Sequence, residues 1–263
     1  MSLKTFVNKV SFGEVDYYEY EDVSLGHPSY LVLGLPDAGL VGALATKYLA
    51  TTTSMKLIGE IDSPRYLQPI TVVHKSIPRS PLQLYINSDK NILALVSEAP
   101  LSIPAVYPIS KSIVEYASRK GIDYIISLSG IAVPNRLEIK KLTSYWLAST
   151  DKAAEIIKDL DIKSFDEGFI VGPYAVILKE SKRRNINNLM ILIESFYDFP
   201  DPEAAAEALQ ILSKITGISV DVSKLLEEAE LVKIQTRELM KQTRKALSEM
   251  KKKYEMQMPL MYT

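Results

Sequence analysis

The stretch Tyr30 to Leu49, YLVLGLPDAGLVGALATKYL, decides the fold. Tyr30 to Leu33 is a short apolar run suited to a buried strand, and Gly34, Leu35, Pro36, Asp37, Ala38 and Gly39 break it with the residues of a tight turn. Beyond the turn the period changes: Leu40, Val41, Leu44, Ala45, Tyr48 and Leu49 recur at helical spacing. Gly39, Gly42 and Ala43 keep one side small enough for close backbone approach. A strand, a glycine turn and a helix in that order open an α/β sheet, and the turn lies where such sheets place ligands. The dinucleotide fingerprint requires G-x-G-x-x-G, whereas Gly34, Gly39 and Gly42 are spaced differently and Pro36 removes one amide from any phosphate cradle. Gly34 and Gly39 have P-loop spacing, but Leu40 and Val41 occupy the places of the Lys and the Ser or Thr that would hold phosphate and Mg²⁺. The turn therefore reads as a packing device.

Working outward, the 263 residues suffice for one large domain or two small ones, and a hydrophobic content of 47% supplies a sizeable core. A net charge of −1 from 31 basic and 32 acidic residues argues against nucleic-acid binding, which needs a concentrated positive face. Without cysteine there is no disulfide or thiolate chemistry, and His27 and His74 are the only imidazoles. No stretch approaches the roughly 20 apolar residues of a membrane span, so a soluble intracellular chain is expected.

Residues 3 to 20 carry clustered β-formers and read as edge strands. Short strands follow from Met55 to Ile61, Ile70 to His74 and Leu82 to Ile86; Asn91 to Ser97 is a continuous apolar strand of the kind covered on both faces. Glu98 to Pro104 reads as a loop, Ile109 to Ala117 as a helix stopped by Gly121, and Ile122 to Leu128 as a buried strand ended by a small-residue turn at Ser129 and Gly130. His74 and Glu98, both near strand ends, would make an acid/base pair if they met. A lone histidine after a strand is ordinarily a packing or surface residue. Ala132 to Phe169 shows one helix, Ala153 to Leu160, and no chemistry.

Gly172 and Pro173 open a helix that ends in the charged run Lys179 to Arg184. Its cations Lys182, Arg183 and Arg184 sit where the helix dipole repels anions, so a solvated helix end is expected there, not a phosphate site. Leu189 to Ile193 is the last strand. Asp201 then caps a helix with Pro202 at its first position and Gly217 at its end. Glu194, Asp198 and Asp201 lie just past the strand end, but Asp201 is already occupied as the cap. Asp221 to Tyr254 lacks Gly and Pro and reads as one long exposed helix, its apolar seam interrupted by Thr236 and Thr243.

The run Gly34 to Gly42, GLPDAGLVG, resembles the signature of the proteasome assembly chaperone family, whose archaeal members are single polypeptides that form homo-oligomers. Many members carry Gly where this chain has Asp37. The glycine turn at Gly130 and the run Asp201 to Leu209, DPEAAAEAL, are similar to corresponding features of that family. The last three residues, Met261, Tyr262 and Thr263, match the hydrophobic-tyrosine-any residue (HbYX) ending of proteins that dock on the proteasome α-ring.

The resemblance implies a three-layer α/β/α sandwich, phosphorylase/hydrolase-like in fold, over residues 1–220, followed by a helical extension and tail over 221–263. It implies a cytoplasmic homo-oligomeric chaperone of 20S proteasome assembly. Its partners would be α subunits or the α-ring, with no chemistry, no cofactor, no nucleic acid and no membrane. Met261, Tyr262 and Thr263 would be the partner-binding residues; Gly34, Pro36, Asp37, Gly39 and Gly42 would form the signature turn. The alternatives are a nucleoside phosphorylase- or hydrolase-like enzyme, because the layered fold is similar, and a nucleotide-binding regulator.

Overall fold

A computed structural model describes residues 5–255. The chain opens with the hairpin β1 (Asn8–Phe12) and β2 (Val15–Glu19), turning at Gly13, and continues through β3 (Tyr30–Gly34), α1 (Val41–Thr52) and β4 (Lys56–Asp62). A small separate hairpin, β5 (Val72–His74) and β6 (Ile77–Arg79), precedes β7 (Leu82–Asn87), β8 (Ile92–Ser97), α2 (Ile103–Arg119) and β9 (Tyr124–Ala132). There follow β10 (Ser144–Ala148), α3 (Asp151–Glu155), β11 (Lys163–Ser164), α4 (Pro173–Arg183), β12 (Asn187–Ser195), α5 (Pro202–Thr216), α6 (Ser223–Glu227) and α7 (Ala229–Glu255).

Ten strands form one mixed sheet in the order β1-β2-β4-β7-β8-β3-β9-β12-β10-β11. Its centre, β8, β3, β9 and β12, is parallel. Period-two alternation divides the central side chains between two cores. Leu31, Leu33, Leu93, Leu95, Ile125, Met190 and Leu192 face α2 and α4; Val32, Ala94, Val96, Ile126, Leu128, Ile191 and Ile193 face α1 and α5. Because both faces are covered, these strands read as unbroken apolar runs. The expected three layers are present.

Local signals placed the caps correctly. Asp201 accepts the Ala204 N–H at 3.1 Å and leads into Pro202, and α5 ends on Gly217 in the left-handed region, φ 68°. Three expectations are corrected. The helix expected from Ile109 begins at Ile103: Pro104 sits in the first turn, where N–H groups have no helical acceptor, and Pro108 lies inside the helix. The helix expected over Ala153 to Leu160 is only Asp151–Glu155, capped by Thr150. Ser129 and Gly130 form no turn; they continue β9, opposite Leu192 and Ile193 of β12.

The C-terminal region also differs from the expected single exposed helix. It breaks at Glu228, between α6 and α7. Met240, Thr243 and Met250 are buried at 3-4-type spacing, and Met240 belongs to the α1/α5 core whereas Met250 belongs to the α2/α4 core. α7 therefore crosses the carboxyl end of the sheet from one helical layer to the other, spanning about 40 Å at 1.5 Å per residue. Thr243 does not interrupt the seam. Its hydroxyl donates to the Leu239 carbonyl at 2.8 Å, so it can be buried without an unsatisfied group. No helix among the described residues is long and apolar enough to cross a membrane.

Candidate functional site

The chain leaves β3 into the glycine turn under α7. Gly39 has φ 64° and Leu40, which precedes α1, has φ 53°, so two successive residues hold left-handed backbone. The glycines are explained by close approach. A Cβ on Gly34 would collide with Thr46 Oγ1, one on Gly42 with the Leu128 carbonyl oxygen, and one on Gly130 with the Ala38 carbonyl and Ser195 Oγ. At Gly39 an added Cβ would lie 2.9 Å from the Ser195 Cβ. The Tyr174 hydroxyl pins the strand exit: it accepts the Leu35 N–H at 3.0 Å and donates toward the Leu33 carbonyl at 3.2 Å. The Gly39 carbonyl accepts the Asp201 N–H at 2.8 Å, so the signature turn and the segment opening α5 are direct neighbours.

Asp37 is the chemically unusual residue of this turn. It is only 8% exposed; its Oδ2 accepts the Gly130 N–H at 3.2 Å, while Oδ1 is buried without a hydrogen-bond partner among the described residues. Burial pushes its carboxyl up to about 8 against the lowering effect of Ser129 and the amides of Gly130 and Gly42, so the acid is neutral at pH 7. Asp37 lies on the wall of a cavity of about 360 Å³ at the carboxyl ends of β3, β9 and β12. Phe165, Ile170, Tyr174, Met190 and Leu192 supply apolar walls, and Leu247 of α7 closes one side. Phe169, 87% exposed, and Val171, 54% exposed, stand at its rim.

Next to the turn, Arg136 grips Asp201 through two hydrogen bonds, Nε to Oδ2 at 2.7 Å and a terminal nitrogen to Oδ1 at 3.0 Å, and reaches Glu203 at 2.7 Å. Its guanidinium lies 5.0 Å from the centre of the Phe196 ring. Arg136 is 4% exposed. Nothing in the sequence marks Arg136, which lies in an aperiodic loop far from its partners in the chain. The carboxylates that sequence places past the last strand are held apart by separate partners. Glu194 accepts the Thr143 N–H at 2.8 Å, Asp198 faces Arg244 at 3.8 Å, and Asp201 serves Arg136 and the α5 cap. They form no paired-acid site. Of the basic run ending α4, Arg183 pairs with Glu180 and Arg184 with Glu115, both at 2.6 Å.

His74 and Glu98 do meet: His74 Nε2 and Glu98 Oε1 are 2.6 Å apart. The Gln83 amide also donates to Oε1 at 3.1 Å, and Lys47 takes Oε2 at 2.7 Å. Both carboxylate oxygens are thus engaged, and the cluster fastens the β5-β6 hairpin to β8 and α1. Burial would raise the Glu98 carboxyl, but hydrogen bonds from Lys47 and His74 outweigh it and hold it below its usual range. A lowered folded-state value adds stability above the unfolded value, and that stability is lost as pH falls through the folded one. Glu98→Gln should therefore cost about 1–2 kcal/mol at neutral pH and much less in acid, where native Glu98 is itself protonated. Thermal unfolding at both pH values checks this; an equal deficit at both would contradict it.

Other apolar side chains are displayed at the same end of the sheet. Leu137, Phe199 and Ile234 are exposed, and Phe199 and Ile234 share a groove with Arg237, Lys241 and Arg244 of α7. Met261, Tyr262 and Thr263 lie outside the described residues.

The profile of the PAC2 family matches residues 31–240. An uncharacterized protein of Methanocaldococcus jannaschii is 26% identical over 252 residues, spanning 95% of this chain and 99% of that protein. Among solved structures, Pyrococcus furiosus PbaA, an archaeal homolog of proteasome-assembly chaperone, superposes with a TM-score of 0.80 at 28% identity, over 88% of this chain and 99% of its own. Pyrococcus furiosus PbaB, an archaeal proteasome activator, shares the fold with a TM-score of 0.70 at 20% identity, over 87% of this chain and 99% of its own.

Proposed function

The chain belongs to the PAC2 family, and we propose on that footing that it is a cytoplasmic, non-enzymatic chaperone of proteasome assembly that binds the α-ring or its α subunits. The observation that carries this reading is the similarity to PbaA over 99% of that chain at a TM-score of 0.80. The turn adds support, because its glycines are consumed by contacts between α1, β9 and β12 and leave no phosphate cradle. The exposed apolar residues at the carboxyl end of the sheet suit a protein partner better than a small polar substrate. Residues 1–220 act as the chaperone domain and 221–263 as the extension that reaches the partner.

In that role Met261 is an apolar plug, Tyr262 a rigid ring with a hydroxyl to donate, and Thr263 carries a carboxylate for a cation on the α subunit. α7 brings the chain to the same end as the exposed rim, since Met250 packs beside Gly172. From the end of α7, residues 256–263 can extend at most about 28 Å, so tail and rim would address one face of the partner. A homo-oligomer presenting several tails would raise their effective concentration toward about millimolar.

The test is binding to isolated α-rings by the full chain, Tyr262→Ala, a chain lacking Thr263 and one extended by a single residue, with light scattering on each. Tyr262→Ala should cost about 2 kcal/mol per tail. The extension should weaken binding as well, because it shifts the carboxylate by about 3.5 Å. Equal binding by all four removes the tail from the contact. No binding by any of them overturns the proteasome reading, and a strictly monomeric chain overturns the oligomer.

A further inference from the structure

We infer that the cavity beneath α7 is a binding site for an uncharged, mostly apolar ring compound that presents one hydrogen-bond acceptor to Asp37. The inference is independent of the proteasome reading. Its position is the first support: the cavity opens at the carboxyl ends of three adjacent parallel strands, β3, β9 and β12, where α/β sheets bind ligands. Its size is the second, since about 360 Å³ lies within the range of small-molecule pockets, and its walls are largely aliphatic and aromatic.

The hydrogen bonding of Asp37 specifies the ligand. Its Oδ2 accepts the Gly130 N–H, which makes Oδ2 the carbonyl-like oxygen and places the proton of the neutral acid on Oδ1. Oδ1 is buried without a hydrogen-bond partner among the described residues, so its proton is a donor that lacks an acceptor there. Tyr174 cannot serve, because its hydroxyl is engaged with the backbone of Leu33 and Leu35. Among the described residues no Lys, Arg or His lines the cavity, which disfavours phosphates and carboxylates. Phe165, Tyr174 and Tyr197 offer ring faces and edges to a flat molecule. The other titratable side chains on the described lining are Tyr174 and Tyr197, and burial holds Tyr174 far above its ordinary range.

The probes are quinoline and naphthalene, which differ by one ring nitrogen and hence by one acceptor. Methyl resonances of Met190, Leu192 and Leu247 in the full chain report occupancy, and titration gives affinity. At about pH 6 quinoline should shift these methyls and bind about ten-fold more tightly than naphthalene, the worth of one buried hydrogen bond. At about pH 9, with the Asp37 proton gone, that preference should vanish. Asp37→Leu should bind the two probes equally. Asp37→Asn, which keeps a donor and the native shape, should retain the preference at both pH values and guards against a leucine variant that fails to fold. Equal affinity of the native chain for both probes at about pH 6, no methyl shifts with quinoline at millimolar concentration, or a preference unchanged at about pH 9 would each overturn the inference.

Discussion

Asp37→Asn should make the protein more stable than the native chain by roughly 5 kcal/mol at pH 9 and leave the two alike near pH 4. In the folded protein burial raises the Asp37 carboxyl to about 8, whereas in the unfolded chain it titrates near the ordinary 3.8. Between these values the folded state holds a proton that the unfolded state has released, so native stability falls as pH rises, by about 1.4 kcal/mol per pH unit. The stabilising contribution is full below the unfolded value and is gone above the folded one. Asparagine has the shape of the neutral acid and does not titrate, so its curve lacks this slope. Urea unfolding of both proteins at several pH values between 4 and 9 measures the gap; parallel curves would show that Asp37 is not held neutral.

Arg136→Ala should cost about 3–5 kcal/mol, the penalty for leaving one partner of a buried ion pair uncompensated. Asp201, 1% exposed in the native protein, would keep its α5 cap and the Phe196 N–H but lose both guanidinium bonds. The damage should spread to the signature turn, which is tied to Asp201 through the Gly39 carbonyl. Arg136→Met combined with Asp201→Asn should recover much of the loss, because asparagine still caps a helix and neither side chain is charged. Chemical unfolding of Arg136→Met, Asp201→Asn and the double variant gives the coupling. A single-variant loss below about 1 kcal/mol would mean that solvent reaches Asp201 freely.

The strand, glycine turn and helix of residues 30–49 were legible because apolar period and glycine steric punctuation act over a few residues. The same holds for the cap at Asp201, the stop at Gly217 and the doubly covered strands. Gly130 shows the limit of such signals. A small residue after an apolar run usually turns the chain, yet here the strand continues and the glycine makes room for the Ala38 carbonyl, a contact set by a segment over ninety residues away. α7 shows it again: its threonines look like breaks in an apolar seam until the Leu239 carbonyl satisfies Thr243 and lets the helix lie across both cores.

Sequence by itself determined the α/β class, the order of the central elements, the family resemblance and the packing role of the glycine turn. Tertiary structure alone decided that His74 meets Glu98, that Arg136 meets Asp201, and that Asp37 borders an apolar cavity with one oxygen unpartnered among the described residues. Periodicity and backbone sterics are properties of neighbouring residues. The ionisation and pairing of a buried polar group depend on every segment that excludes water from it, and at Asp37 those segments come from β9, β12, α4, α7 and the loop before α4.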